Sequence, residues 1–194
     1  MNLVQVQQAI RRHRLRLFSP LELQRMLGLS TVATRFLVHR YAKRGVFLKL
    51  RNGLYCVADQ VPSELVVANR LYAPSYLSFE FALSYHHLIP ESAYVLTSAT
   101  PRPTRVLTAL GHTFAYHRLK TSAFTGYAPV TIGAETVLLA TPEKALVDLV
   151  YFVDLKKKSL SDRLELRTLN WTRVESYAQL FGRPSLRQRL RGLR

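Results

Sequence analysis

The sequence predicts an α/β protein of the α+β type: an N-terminal winged helix-turn-helix, then a small mixed α/β domain, then a basic helical C-terminal tail. Three observations carry that expectation. Apolar residues recur at helical spacing through residues 19–43, then alternate around one Asn52-Gly53 turn. Five short alternating runs follow between Tyr94 and Ala140, punctuated by Pro101, Pro103, Gly111, Gly126 and Gly133. Basic residues gather at the two ends of the chain.

At 194 residues and 48% hydrophobic content, the chain has material for one large or two small domains with a buried core. Its 28 Lys and Arg outnumber 12 Asp and Glu, a net charge of +16. Residues 1–60 carry +9, residues 61–155 carry −1 and residues 156–194 carry +8. A neutral middle between basic ends implies a polyanionic partner, with double-stranded DNA foremost. A membrane surface is disfavoured, since no segment approaches a spanning length and the basic tail has no strongly apolar opposite face. Met1-Asn2-Leu3 is not followed by the apolar core of a signal peptide. The single cysteine, Cys56, excludes an internal disulfide and fits a reducing cytoplasm, the expected location.

Taken in order, residues 2–17 are expected as an opening helix with Leu3, Val6, Ile10 and Leu17 inward. Arg11, Arg12, Arg14 and Arg16 are too closely spaced to share one face. Ser19 before Pro20 announces a second helix, with apolar contacts from Leu21, Leu23, Met26 and Leu27 and a glycine stop at Gly28. Ser30 can cap a third, in which Ala33, Phe36, Leu37 and Tyr41 form the expected buried stripe. Thr31, Thr34, Arg35, Val38 and His39 then fall on the face offered to a DNA groove. The hairpin around Asn52-Gly53 should pair Arg51 with Leu54, Leu50 with Tyr55 and Leu48 with Val57. That register turns Val46, Leu48, Leu50, Tyr55 and Val57 inward and points Lys49 and Arg51 outward at a basic tip.

A Pro-containing connector, residues 59–63, separates a DNA-binding domain at 1–60 from an α/β domain at 61–155, leaving 156–194 as the basic tail. The second domain should open with a helix at 64–71, broken by Ala73-Pro74. Ser78 should cap a helix to about His86, with Glu80 in its first turn and Phe79, Ala82 and Leu83 on its apolar face. From Ala93 the period shortens to strands at 94–99, 105–108, 112–118, 129–132 and 136–140. Thr141-Pro142-Glu143 starts a helix to about Phe152 that buries Ala145, Leu146, Leu149 and Val150. A last helix at 172–181 uses Val174, Tyr177, Ala178 and Phe181.

Six histidines and one cysteine raise a metal reading that spacing does not support. His86 and His87 diverge on a helix, and His112 and His117 face opposite sides of a strand. No phosphate loop of the Walker or dinucleotide type and no nucleophile elbow occurs, so neither a cofactor nor a catalytic residue is expected. Glu143-Lys144 in a basic protein hints at a metal-dependent nuclease, but such a metal needs a second carboxylate, and Glu135 is the only nearby one that could rescue that reading.

Four stretches carry a resemblance to the AbiEi-type antitoxins, transcriptional regulators of bacterial type IV toxin-antitoxin and phage-abortive-infection systems. They are residues 43–55 around Arg44-Gly45-Val46 and Asn52-Gly53-Leu54-Tyr55; residues 78–86, Ser-Phe-Glu-Phe-Ala-Leu-Ser-Tyr-His; residues 94–102; and residues 141–149, Thr-Pro-Glu-Lys-Ala-Leu-Val-Asp-Leu, with Tyr151 after. The resemblance implies a repressor that binds inverted repeats upstream of its own operon, as a monomer or weak dimer cooperative on DNA. It also implies a functional partner, a nucleotidyltransferase-like toxin, that need not be bound directly. Ser78, Glu80, His86, Glu143, Lys144 and Asp148 are then the structural motif of the second domain, in capping, packing and pairing roles. Arg183, Arg187, Arg189, Arg191 and Arg194 depart from the pattern. Base-reading positions are expected at Thr31, Thr34, Arg35 and His39, and backbone contacts at Ser30, Arg40, Lys43, Lys49, Arg51 and Asn52. The alternatives are a protein-interaction module that binds a partner toxin directly, and the nuclease.

Overall fold

The computed structural model describes residues 2–92 and 94–194. Met1 and Ala93, which the sequence reading used to mark the chain start and the onset of strands, lie outside them. The protein is of mixed α+β class, with eight α-helices and two sheets among the described residues. It divides into two compact units, Met1–Val67 and Ala68–Arg194. No helix among the described residues is long and apolar enough to cross a membrane.

The first unit runs α1 (Leu3–Arg12), β1 (Leu17–Phe18), α2 (Pro20–Leu27), α3 (Thr31–Lys43), β2 (Phe47–Arg51) and β3 (Leu54–Val57). Local signals place most of these ends. Asn2 and Gln5 form a capping box on α1, Ser19 and Glu22 form another on α2, and Gly28 ends α2 at φ +62°. The opening helix is shorter than expected: it stops at Arg12, Arg14 turns the chain at φ +52°, and Leu17–Phe18 joins a three-stranded antiparallel sheet in the order β1-β3-β2. Val6, Ile10, Phe18, Leu23, Leu37, Val38, Tyr41, Phe47 and Val57 form its core, with Phe47 set edge-on to Phe18 and Tyr41.

The hairpin register also differs from expectation. Arg51 does pair with Leu54, but Lys49 pairs with Tyr55, Leu48 with Cys56 and Phe47 with Val57, because the ladder shifts between Lys49 and Arg51. One extra residue on β2 exchanges the faces of everything before it. Phe47 is therefore buried and Leu48 only half-buried; Leu50, at the shift, is buried, and Lys49, now on the Phe47 face, is exposed near the tip with Arg51.

α4 (Glu64–Leu71) leads from the first unit to the second, which contains β4 (Tyr76–Leu77), α5 (Phe79–Tyr85), β5 (Leu96–Thr100), β6 (Arg105–Ala109), β7 (His112–Arg118), β8 (Tyr127–Ile132), β9 (Glu135–Ala140), α6 (Pro142–Asp154), α7 (Trp171–Gln179) and α8 (Pro184–Arg191). Its six strands form a mixed sheet in the order β6-β7-β5-β4-β9-β8. The two-residue β4, unmarked by any period, joins the halves by pairing antiparallel with β5 and parallel with β9. α6 packs against α5, α7 and α8, so Lys144 and Asp148 are as enclosed as Leu146 and Val150. Residues 156–194, expected as a tail, belong to this unit, where Val174, Ala178, Phe181, Leu186 and Leu190 are buried.

Candidate nucleic-acid interface

The Ser30 side chain accepts a hydrogen bond from the Ala33 amide at 3.2 Å and so starts α3. The helix then buries Thr34, Leu37, Val38 and Tyr41, not the expected Ala33, Phe36, Leu37 and Tyr41. Thr34, expected to read bases, is buried at 2% exposure, its hydroxyl donating to the Ser30 carbonyl at 2.9 Å, and it borders the cleft described below only from beneath. That internal bond is what lets a threonine occupy an apolar stripe. Val38 is likewise buried. Conversely, Phe36 is 72% exposed and Val32 63% exposed, on the face opposite the core. Both were missed as surface residues, because composition alone assigns a phenylalanine to the inside.

Thr31, Arg35 and His39 are exposed on successive turns of α3. Together with Lys49 and Tyr55 of the hairpin and Leu21 and Gln24 of α2 they line a cleft of about 660 Å³. Thr31 donates across it to Gln24 at 3.4 Å. Arg40, Lys43, Arg51 and Asn52 are exposed outside that lining; Arg40 lies over the Tyr41 ring at 5.0 Å, and Arg51 donates to the Asn52 carbonyl at 2.8 Å. Gly53 holds the turn at φ +76°. Cys56 faces the core, and burial pushes its thiol up to about 11, so it stays protonated there.

The two units treat their charges differently. In the first, Arg11 pairs with Asp59 at 3.1 Å, whereas Arg35, His39, Lys43 and Lys49 have no ion-pair partner among the described residues. α3 contains no acidic residue. In the second unit many of the tail cations are engaged: Arg183 and Arg189 with Asp154, Arg187 and Arg191 with Glu175, Arg163 with Glu91, and Lys158 with Glu80. Along α3 and at Lys49 of the hairpin, exposed cations thus stand without an acidic neighbour among the described residues.

The motif of the second unit is built inward. Lys144 Nζ and Asp148 Oδ1 form an ion pair, one turn apart on α6 and both fully buried. Asp148 Oδ2 also accepts from Ser78 Oγ at 2.8 Å and Tyr76 OH at 3.0 Å. Burial pushes the Asp148 carboxyl up and the Lys144 ammonium down, each opposed by the partner's charge. The expected side-chain cap of α5 by Ser78 is not made; Thr97 Oγ1 takes that task, donating to the Ser78 carbonyl at 2.7 Å and accepting from the Phe81 amide at 3.1 Å.

His86 Nε2 donates to the Ala140 carbonyl at 2.8 Å. Glu143 is buried in the first turn of α6 and accepts from the Asn170 amide at 3.4 Å. Glu135, the second carboxylate considered for a nuclease site, starts β9 while Glu143 follows its end, roughly 17 Å away at the strand rise. No group of three or more His, Cys, Asp or Glu side chains that could hold a metal occurs among the described residues.

Tyr76 and Thr97 escaped the sequence reading. Tyr76 sits in the unmarked β4, and the partners of both are distant in sequence. Among known proteins, no family model matches the chain, and no curated protein matches it either.

Proposed function

We propose that the first unit is a winged helix-turn-helix with α3 as recognition helix and the β2–β3 hairpin as wing, and that the protein is a DNA-binding transcriptional repressor. The observation that carries this reading is the acid-free outer face of α3, where Arg35, His39 and Lys43 have no internal ion-pair partner, set beside the outward Lys49 of the hairpin. Thr31, Arg35 and His39 are the base-reading candidates that remain once Thr34 is assigned to the core. Arg35 can hold a guanine edge with two hydrogen bonds. Arg40, Lys43, Lys49, Arg51 and Asn52 are assigned to phosphate, and Ser30 to capping. The resemblance of the second unit to antitoxins of type IV systems extends the proposal: the repressor lowers expression of a partner toxin from its own operon, and Lys144, Asp148 and Ser78 hold the fold.

The test is a binding titration against the DNA upstream of the gene and a scrambled duplex of equal length, at several salt concentrations. Tighter binding to the upstream DNA at every salt is expected. Arg35→Ala should cost about 1–3 kcal/mol on the upstream site and change which sequences are preferred. Lys49→Ala should weaken both duplexes alike and reduce the salt slope by about one. Equal, steeply salt-dependent binding to both duplexes would reject sequence reading by α3 and leave a partner-binding module as the better account.

A further inference from the structure

Resting on the DNA-binding reading above, the geometry points to a specificity device that hydrogen bonding does not supply: Phe36, with Val32 one turn before it, contacts thymine 5-methyl groups in the major groove. Both side chains stand on the outer face of α3, 72% and 63% exposed, though the same unit buries every other phenylalanine it contains. Four residues advance about 6 Å along a helix, close to two base-pair steps of about 3.4 Å each. The pair can therefore address methyls on nearby base pairs.

The surroundings select the occupant. Arg35, His39, Arg40 and Lys43 lie within two turns of Phe36, and α3 has no carboxylate, so a partner seated on this face must be anionic. A duplex supplies the anion, and within its major groove the thymine methyl is the apolar group that distinguishes one base pair from another. An aromatic side chain ringed by cations on a groove-facing helix thus has one well-matched contact. In a groove it would otherwise displace water from polar base edges without replacing their hydrogen bonds.

The experiment uses the full chain and the upstream duplex, with each thymine replaced in turn by uracil, which lacks only the 5-methyl group. Wild type should lose about fourfold in affinity for each contacted methyl removed, at one or two positions. Phe36→Ala, a change at an exposed site, should bind the thymine and uracil duplexes equally at the position that Phe36 contacts, and Phe36→Leu should keep part of the discrimination. Wild-type binding that prefers the upstream DNA yet ignores every uracil replacement would overturn this inference alone. Unchanged methyl discrimination in Phe36→Ala would overturn it as well. Failure of wild type to prefer the upstream DNA over the scrambled duplex would overturn both this inference and the DNA-reading proposal beneath it.

Discussion

Lys144→Met removes the cation from the buried pair while keeping a long apolar stem, and its cost can be worked from Asp148. With Lys144 gone, that carboxylate keeps two neutral donors, Ser78 at 2.8 Å and Tyr76 at 3.0 Å, in a fully buried position. Breaking such a pair from one side costs about 3–5 kcal/mol. The chain has one escape, which is to protonate Asp148. For a carboxyl with an ordinary pKa of 3.8, that costs about 4 kcal/mol at pH 7 and about 2 kcal/mol at pH 5. The deficit relative to wild type should follow this ceiling.

The direction is set by the folded-state pKa of Asp148 in the variant, which lies above its unfolded value. The compensating stability is present at low pH and is lost as pH rises. Urea unfolding followed by the fluorescence of Trp171, the only tryptophan and a member of the second unit, reads the difference at pH 7 and pH 5. Lys144→Met/Asp148→Asn should recover more than half of the deficit and remove its pH dependence. A loss under about 1 kcal/mol at pH 7, or one that does not change with pH, would refute the argument that the pair is a desolvated, mutually dependent unit.

Three other outcomes are expected. Gly126 sits at φ +78°, and an added Cβ would come within 2.8 Å of Lys144 Cγ and 2.9 Å of Tyr177 Cε1; Gly126→Ala should cost roughly 2–5 kcal/mol, whereas Gly53→Ala, with open space around it, should cost about 1–2 in thermal unfolding followed by circular dichroism. Burial holds His117 down at about 4, with the Lys158 charge adding and the Glu80 charge opposing; stability is full above the ordinary value of 6.5 and falls as pH drops toward 4, by on the order of 2 kcal/mol after discounting for the partly exposed ring, a loss that His117→Phe should abolish in urea titrations. Thr34→Val should leave affinity for the upstream DNA within about twofold and stability within about 1 kcal/mol, as a core position requires; a tenfold loss of affinity at unchanged stability would return Thr34 to the interface.

What could be read from sequence alone was whatever is decided locally. Ser19-Pro20, Gly28, Ser30, Asn52-Gly53 and Thr141-Pro142 mark their boundaries because a cap or a positive φ involves neighbours a few residues apart. What escaped depends on partners far along the chain. The phase of α3 turned by about one residue because nothing local says that Thr34 satisfies its own hydroxyl while Phe36 is left outside. The hairpin register failed at one bulged residue. Ser78 reads as a cap, but its hydroxyl finds Asp148 seventy residues away. The basic C-terminal segment reads as free charge until Asp154 and Glu175 are seen to hold its arginines. For the candidate interface, Arg35, His39, Lys43 and Lys49 were legible as charge on an exposed face, whereas the apolar Val32 and Phe36 were not, since only tertiary packing distinguishes a buried aromatic from one left at the surface.

The enclosure of α6 also bears on when the chain can fold. Phe181 packs on Tyr151 at 4.4 Å, Arg183 holds Asp154 at 2.8 Å, and Tyr177 closes over the turn beside Lys144. Each of these covers comes from α7, α8 or the turn between them. During synthesis at about 5–20 residues per second, the nearly forty residues between the ends of α6 and α8 take roughly 2–8 s to appear. For that interval the helix of the second unit with the most buried residues lacks its outer cover, which makes residues 142–154 of the nascent chain a natural target for chaperone binding.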